Sequence, residues 1–169
     1  MNHWLGPLQP LLVLQLLILL TLANGTPVVA KKLLGARFAW PLDGGAQFLD
    51  GRPLFGTSKT WRGLLLAVLV TAVGAPLVGL GWRVGLLVGS AGMAGDLASS
   101  FLKRRFGRAP SSQALGLDQI PESLLPLLAC RVLLPVTLAD LAAGTAIFFV
   151  GELLLSRLLY RLRLRDRPY

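Results

Sequence analysis

The sequence predicts an all-α integral membrane protein: a bundle of about five transmembrane helices, with the N-terminus outside and the C-terminus cytoplasmic. Three observations carry that reading. Of the 169 residues 54% are hydrophobic and only 15% charged, with a mean hydropathy of +0.65. A soluble domain carries about a quarter charged residues. The apolar residues also fall into long runs: Trp4 to Ala23 and Gly63 to Gly81 each lack any charge. At about 1.5 Å per residue, either run reaches across most or all of a roughly 30 Å hydrocarbon layer. Finally, fifteen of the 17 basic residues lie in three segments, between spans one and two, between spans three and four, and in the C-terminal tail. An odd number of spans puts all three on one side, and the positive-inside rule makes that side cytoplasmic.

The elements follow in order. Residues 4–23 form the first span; its flank before the apolar run lacks Lys and Arg, so it reads as a helix entering from outside and not as a cleaved leader. Residues 24–62 form a cytoplasmic loop. The second span covers 63–81 and the third 84–101, which carries Asp96. A second cytoplasmic loop, 102–119, holds Lys103, Arg104, Arg105 and Arg108. The fourth span covers 120–139, with Glu122 and Arg131, and the fifth covers 141–159, with Glu152. Arg131 and Glu152 read as a pair inside the bundle. Gly81, Gly85 and Gly89 recur at four-residue spacing, a small-residue face that lets helices approach closely in lipid. Pro76, Pro126 and Pro135 are positioned to bend their spans. The whole chain, 1–169, reads as a single membrane domain.

Some chemistries drop out at once. Cys130 is the single cysteine and His3 the single histidine, so neither an intrachain disulfide nor a histidine-based zinc or triad site is available. The net charge of +9 flanks spans and does not line a soluble face, which argues against nucleic acid. Gly51 and Gly56 have the spacing of a P-loop, but Thr57 stands where that loop requires lysine.

The polar residues that remain cluster twice. The loop from Trp40 to Gly63 contains Asp43, Asp50, Gly51, Arg52, Ser58, Lys59, Thr60 and Arg62. Glycines admit a ligand close to the backbone, and the cations and hydroxyls suit phosphate. A solvated positive-inside loop explains the Lys and Arg but not two Asp-Gly pairs. The second cluster lies on the third span, where Asp96, Ser99, Ser100 and Lys103 share one helical face. An ionised carboxylate within a span costs at least a few kcal/mol unless it is paired or metal-bound. Arg104 and Arg105 extend the basic run, and Asp118 and Gln119 precede the fourth span. Asp96 and Asp118, assisted by Glu122, are candidate ligands for Mg²⁺, which takes one or two carboxylates together with phosphate oxygens and water.

These blocks resemble one family. The stretches Leu22-Ala-Asn-Gly-Thr-Pro27, Pro41-Leu-Asp-Gly44, Asp50-Gly-Arg-Pro-Leu-Phe-Gly56, Lys59-Thr-Trp-Arg-Gly63, Gly95-Asp-Leu-Ala-Ser-Ser-Phe-Leu-Lys-Arg-Arg105 and Asp118-Gln119 are similar to the CDP-archaeol synthases. Those are CTP-dependent membrane lipid cytidylyltransferases, distantly similar to phosphatidate cytidylyltransferases. The chain departs from the pattern at Ser58, where the family has glycine, and at Pro121, where it has a second aspartate followed here by Glu122.

The resemblance implies a reaction between CTP and an unsaturated ether lipid phosphate, giving CDP-lipid and pyrophosphate in the cell membrane. It implies Asp96, Asp118 and Lys59 as catalytic residues, with Mg²⁺ on Asp96 and Asp118; Glu122, displaced by one residue, is a candidate to replace the family's second aspartate as a further ligand. Asp43, Asp50, Gly51, Arg52, Ser58, Thr60, Arg62, Ser99, Ser100, Lys103, Arg104, Arg105 and Gln119 would then bind nucleotide and phosphate. CTP, the anionic lipid phosphate and membrane lipids are the implied partners, with no nucleic acid and with homo-oligomerisation left open. Two other readings stay open: the same reaction on diacyl phosphatidic acid, or a non-catalytic scaffold or transporter derived from the family.

Overall fold

The computed structural model describes residues 3–109, 112 and 114–162. The basic tail residues Arg163, Arg165 and Arg167 lie outside the described residues. A short 3-10 turn, His3–Leu5, precedes five helices: α1 (Pro10–Leu34), α2 (Trp61–Leu77), α3 (Trp82–Arg105), α4 (Gln119–Cys130) and α5 (Leu138–Arg161). Among the described residues there is no strand, only two isolated bridges, Pro41 with Thr60 and Gln47 with Pro53.

Local chemistry sets the ends of these helices. Pro10 occupies the first turn of α1, where its missing N–H costs nothing. Thr60 caps α2 by accepting the Gly63 N–H at 3.2 Å. Thr137 and Asp140 form a reciprocal capping box at the start of α5.

Two expected boundaries are corrected. The first span, expected at 4–23, runs from Pro10 to Leu34, and the loop expected from residue 24 begins near Gly35. Asn24 and Thr26 look like breakers, but each turns its side chain back onto the carbonyl four residues earlier, Leu20 at 3.0 Å and Leu22 at 2.6 Å. The fourth span, expected over 120–139, is a helix of only 12 residues that ends at Cys130. Pro135 can neither donate to a helix nor tolerate an α conformation before it, so residues 131–137 continue as turn and extended chain. The other three helices begin and end within a few residues of expectation. Three helices, α1, α3 and α5, are long and apolar enough to cross a membrane; α2 is apolar but shorter.

The five pieces alternate in direction. At one end, the Gln9 N–H donates to Asp140 at 2.7 Å, Gln9 Nε2 donates to the Pro135 carbonyl at 2.8 Å, and Gln15 Nε2 donates to the Val78 carbonyl at 2.7 Å. These bonds join the starts of α1 and α5 to the end of α2. The opposite end gathers the C-termini of α1 and α3, the N-termini of α2 and α4, and the 35–60 loop.

Leu16, Leu19, Leu20, Val88, Leu127, Val136 and Phe148 fill the centre of the bundle. Leu65, Leu69, Val73 and Leu77, one turn apart on α2, face outward and are more than half exposed. An exposed apolar stripe of that length suits hydrocarbon and not water. Gly85 and Gly89 lie against the backbone of α2 around Thr71 and Val68, where a side chain would collide. Gly81 does not share this packing; it caps α3 and has open space around it.

Candidate active site

The loop-bearing end of the bundle encloses a cavity of about 920 Å³. All five helices contribute to its wall. Lys31 and Lys32 come from the last turn of α1, and Ser58, Lys59, Thr60 and Arg62 from the loop and the start of α2. Asp96, Ser100, Lys103 and Arg104 come from α3, Asp118, Gln119 and Glu122 from the start of α4, and Glu152 and Ser156 from α5.

Its floor is a set of buried charge pairs. Lys59 Nζ contacts both Asp96 oxygens at 2.5 and 2.6 Å. Lys103 Nζ contacts Asp118 Oδ1 at 2.6 Å, and Asp118 Oδ2 accepts the Ala114 N–H at 2.9 Å. The side chains of all four are mostly buried. Unpaired, each would carry a desolvation cost of several kcal/mol. Burial alone would push the Lys59 ammonium down. The Asp96 carboxylate, helped by Glu122 and Asp118, overrides that and holds Lys59 above its ordinary 10.5.

Glu122 lies beside Asp96, close enough for the two carboxyl groups to interact electrostatically. Pro121 is compatible with this position because it lies in the first turn of α4, where no backbone donor is needed. Its carbonyl packs directly on Gly95, where a Cβ would collide, so α4 approaches α3 closely one residue before Asp96. Glu122 thereby supplies a carboxyl group beside Asp96, although the family's second aspartate is absent.

The remaining expected residues separate into two groups. Ser58, Thr60, Arg62, Ser100, Lys103, Arg104 and Gln119 line the cavity. Arg62 also donates to the Gly35 carbonyl at 3.1 Å and to that of Arg37, and Gln119 Oε1 accepts the Gly116 N–H at 2.9 Å. Ser99 is buried off the cavity and donates to the Asp96 carbonyl at 3.0 Å. Asp43, Asp50, Gly51, Arg52 and Arg105 are not part of the wall. Asp43 organises the loop, accepting the N–H groups of Gly45, Phe55 and Gly56 at 2.9–3.0 Å. Burial pushes the Asp43 carboxyl up, but the N–H groups of Gly56, Phe55 and Gly45 outweigh it and hold it below the usual 3.8. Asp50, Arg52 and Arg105 bind one another.

The Arg131–Glu152 pair does not form. Arg131 stacks over the Trp4 ring, 3.1 Å from its centroid, near the opposite end, whereas Glu152 faces the cavity. The two residues lie in different layers because Arg131 caps the far end of α4, whereas Glu152 sits well along α5 towards the cavity. Sequence reasoning gave Lys31 and Lys32 only to topology and passed over Ser156. Their signal was present in the i, i+4 spacing of Glu152 and Ser156 and in the basic last turn of α1.

The donor set suits a hard cation in one respect: several carboxyl oxygens border one cavity. Among the described residues, no group of three His, Cys, Asp or Glu side chains is assembled to hold a metal by itself. Lysine ammoniums occupy Asp96 and Asp118 instead.

Comparison with known proteins identifies the family. The family model for CarS-like CDP-archaeol synthase matches residues 10–81 and 78–169. The CDP-archaeol synthase of Sulfurisphaera tokodaii is 35% identical over 153 residues, covering 87% of this chain and 89% of its own. That of Hyperthermus butylicus is 36% identical over 126 residues, covering 71% and 70%. A solved intramembrane enzyme for archaeal membrane lipid biosynthesis superposes with a TM-score of 0.69 at 27% identity, covering 82% of this chain and 90% of that one. The long apolar helices and this neighbour make the chain an integral membrane protein. It belongs to the CDP-archaeol synthase family.

Proposed function

We propose that the chain is a CTP-dependent cytidylyltransferase that converts an archaeal-type unsaturated ether lipid phosphate to CDP-lipid and pyrophosphate. The observation that carries this reading is the cavity itself. In a member of the CDP-archaeol synthase family, it gathers Lys59, Arg62, Lys103 and Arg104 beside Asp96, Asp118 and Glu122 at the loop-bearing end of an apolar bundle.

In the reaction, an oxygen of the lipid phosphate attacks the α-phosphorus of CTP. A P–O bond forms to the lipid phosphate, the bond to the bridging oxygen breaks, and pyrophosphate leaves with the electron pair. Such a transfer needs positioning and charge neutralisation more than a covalent nucleophile. Lys31, Lys32, Arg62 and Arg104 screen the triphosphate and the lipid phosphate. Lys59 and Lys103 neutralise Asp96 and Asp118 before substrate arrives and are placed to turn onto phosphate oxygens afterwards. Asp96 and Asp118, with Glu122, would hold Mg²⁺, which supplies charge stabilisation at the phosphates when bound.

On this reading the chain crosses the membrane five times, with the 131–137 segment completing the fourth crossing, and the cavity and basic loops face the cytoplasm, where CTP is available; the clustering of basic residues between alternate helices supports it. The residues 1–169 act as one membrane domain. A transporter would need a polar path through the other end. There, the Gln9–Asp140 network ties the helices together, which supports an enzyme working from one face.

The test is incorporation of labelled CTP by purified protein with Mg²⁺, offered an archaeal ether lipid phosphate or diacyl phosphatidic acid. Labelled CDP-lipid from the ether substrate, lost in Asp96→Ala, is the expected result. An undiminished Asp96→Ala enzyme would refute the assignment of the site. Exclusive use of the diacyl lipid would refute the substrate.

A further inference from the structure

Outside the cavity, the tip of the 35–60 loop is bound to the end of α3 through two arginines that exchange bonds. Arg105, in the last turn of α3, pairs with Asp50 and donates to the carbonyls of Pro53 at 2.6 Å and Arg52 at 3.3 Å. Arg52 answers from the loop, donating to the carbonyls of Arg105 at 2.5 Å and Arg104 at 3.3 Å. Those carbonyls belong to the last turn of a helix, which lacks intrahelical donors and carries partial negative charge. The Arg105 guanidinium also lies 4.9 Å from the centroids of both Phe48 and Phe101, rings that meet edge-to-face at 5.2 Å. The two terminal nitrogens of this guanidinium are thus held by a carboxylate and two carbonyls between two aromatic rings, and the side chain is not part of the cavity wall.

The same loop returns to α3 at a second point. Its tip is closed by Phe48 N–H to the Arg52 carbonyl and Leu54 N–H to that of Ala46. Its base is closed by Leu42 N–H to the Lys59 carbonyl and Trp61 N–H to that of Trp40. The base delivers Lys59 to Asp96, nine residues before Arg105, or about 13 Å along the helix. Two anchors on one rigid helix therefore fix the loop, one inside the cavity and one outside it.

We propose that Arg105, Asp50 and Arg52 form a latch that positions Lys59 and the loop wall for the triphosphate, without any of the three touching substrate. They are positioning residues, and this reading rests on the cytidylyltransferase function above. The latch places arginines that the sequence associates with phosphate into a structural role, and it commits Asp50 to Arg105.

The test uses full-length protein in lipid nanodiscs. Arg105→Ala, Asp50→Ala, Arg105→Lys, the double alanine variant and the exchange Asp50→Arg with Arg105→Asp are compared. Amide exchange is measured without nucleotide, alongside KM and kcat for CTP. The latch predicts faster exchange at Gly45, Phe55 and Gly56 in both alanine variants, and a KM for CTP raised on the order of tenfold to a hundredfold, the scale of a small misplacement. The double variant should match the singles, Arg105→Lys should fail to rescue because lysine lacks the fork, and the exchange should restore part of the loss. Additive effects of Arg105→Ala and Asp50→Ala, or a penalty in Arg105→Ala with loop exchange unchanged, would overturn the proposal in favour of direct phosphate contact. If the alanine variants fail to fold, the exchange variant and Arg105→Lys decide it by the same exchange readout. Because loop exchange is read without CTP, a wild type that makes no CDP-lipid would count against the function and leave the latch standing.

Discussion

Lys59 and Asp96 hold each other in the protein interior, and their energetics are separable from their chemistry. Replacing Lys59 by Met removes the cation and leaves a mostly buried carboxylate without its partner, a loss of about 2–4 kcal/mol for a pair of this burial. Lys59→Met should therefore lower the unfolding temperature in detergent. Adding Asp96→Asn should recover most of that loss, because the second change removes the stranded charge. CDP-lipid synthesis should stay absent in both, so thermal unfolding and turnover should part company. A double variant as unstable as Lys59→Met alone would show that the pair is not the source of the stability. Asp43 offers a pH test outside the membrane. Its carboxyl is held below 3.8 by three loop N–H groups despite the opposing effect of burial. A depressed folded pKa contributes stability that is complete above the unfolded value and lost as pH falls through the folded one. Loop amide protection at Phe55 and Gly56 should therefore be constant down to about pH 4 and decline below it. In Asp43→Asn that acid limb should flatten, and the protection should be weaker throughout.

At the scale of elements, the interface between α3 and α4 decides where the carboxylates meet. Gly95 has no room for a Cβ against the Pro121 carbonyl and the Glu122 amide. Gly95→Ala should push the start of α4 away and carry Glu122 off Asp96, at an overpacking cost of about 1–3 kcal/mol. The expected result is a folded protein whose turnover falls at least tenfold, with a weaker dependence on metal concentration. Gly92→Ala is the control: a Cβ there meets nothing closer than 3.8 Å, and activity should be retained. Equal activity in the two variants would show that the α3–α4 approach does not set the site. The glycine repeat was legible as a packing face, yet the sequence alone did not single out Gly95. Its importance arises from Pro121, twenty-six residues later, and only the packed helices bring the two together.

At the scale of the whole molecule, the proposed topology gives the bundle a cytoplasmic end, which bears the cavity, and an outer end. In a Cys130→Ser background, a cysteine at Ala36 should react with a membrane-impermeant maleimide only when the cytoplasmic face is accessible. A cysteine at exposed Val132 should react only from outside. The opposite labelling would invert the orientation, and labelling of both from one face would mean that the intervening segments do not cross an odd number of times. The 131–137 segment matters here because α4 by itself, at about 18 Å, spans only part of the hydrocarbon layer.

Residue order alone determined the helical class, the apolar runs and the concentration of cations at one end, because hydrophobic length and charge placement are properties of the linear chain. It also marked Asp96, on one helical face with Lys103, since a carboxylate within an apolar helix needs a partner wherever it lies, and it offered Asp118 as a second carboxylate; Lys59 joined them through the family resemblance. Tertiary structure decided which counter-charge each one received. It also withdrew Asp50, Arg52 and Arg105 from the cavity, and it brought Lys31, Glu152 and Ser156 into it. Those outcomes depend on which helix faces meet across the bundle. That pairing is fixed by contacts between residues far apart in the chain, such as Gly95 on Pro121 and Arg105 on Asp50, which no local pattern encodes.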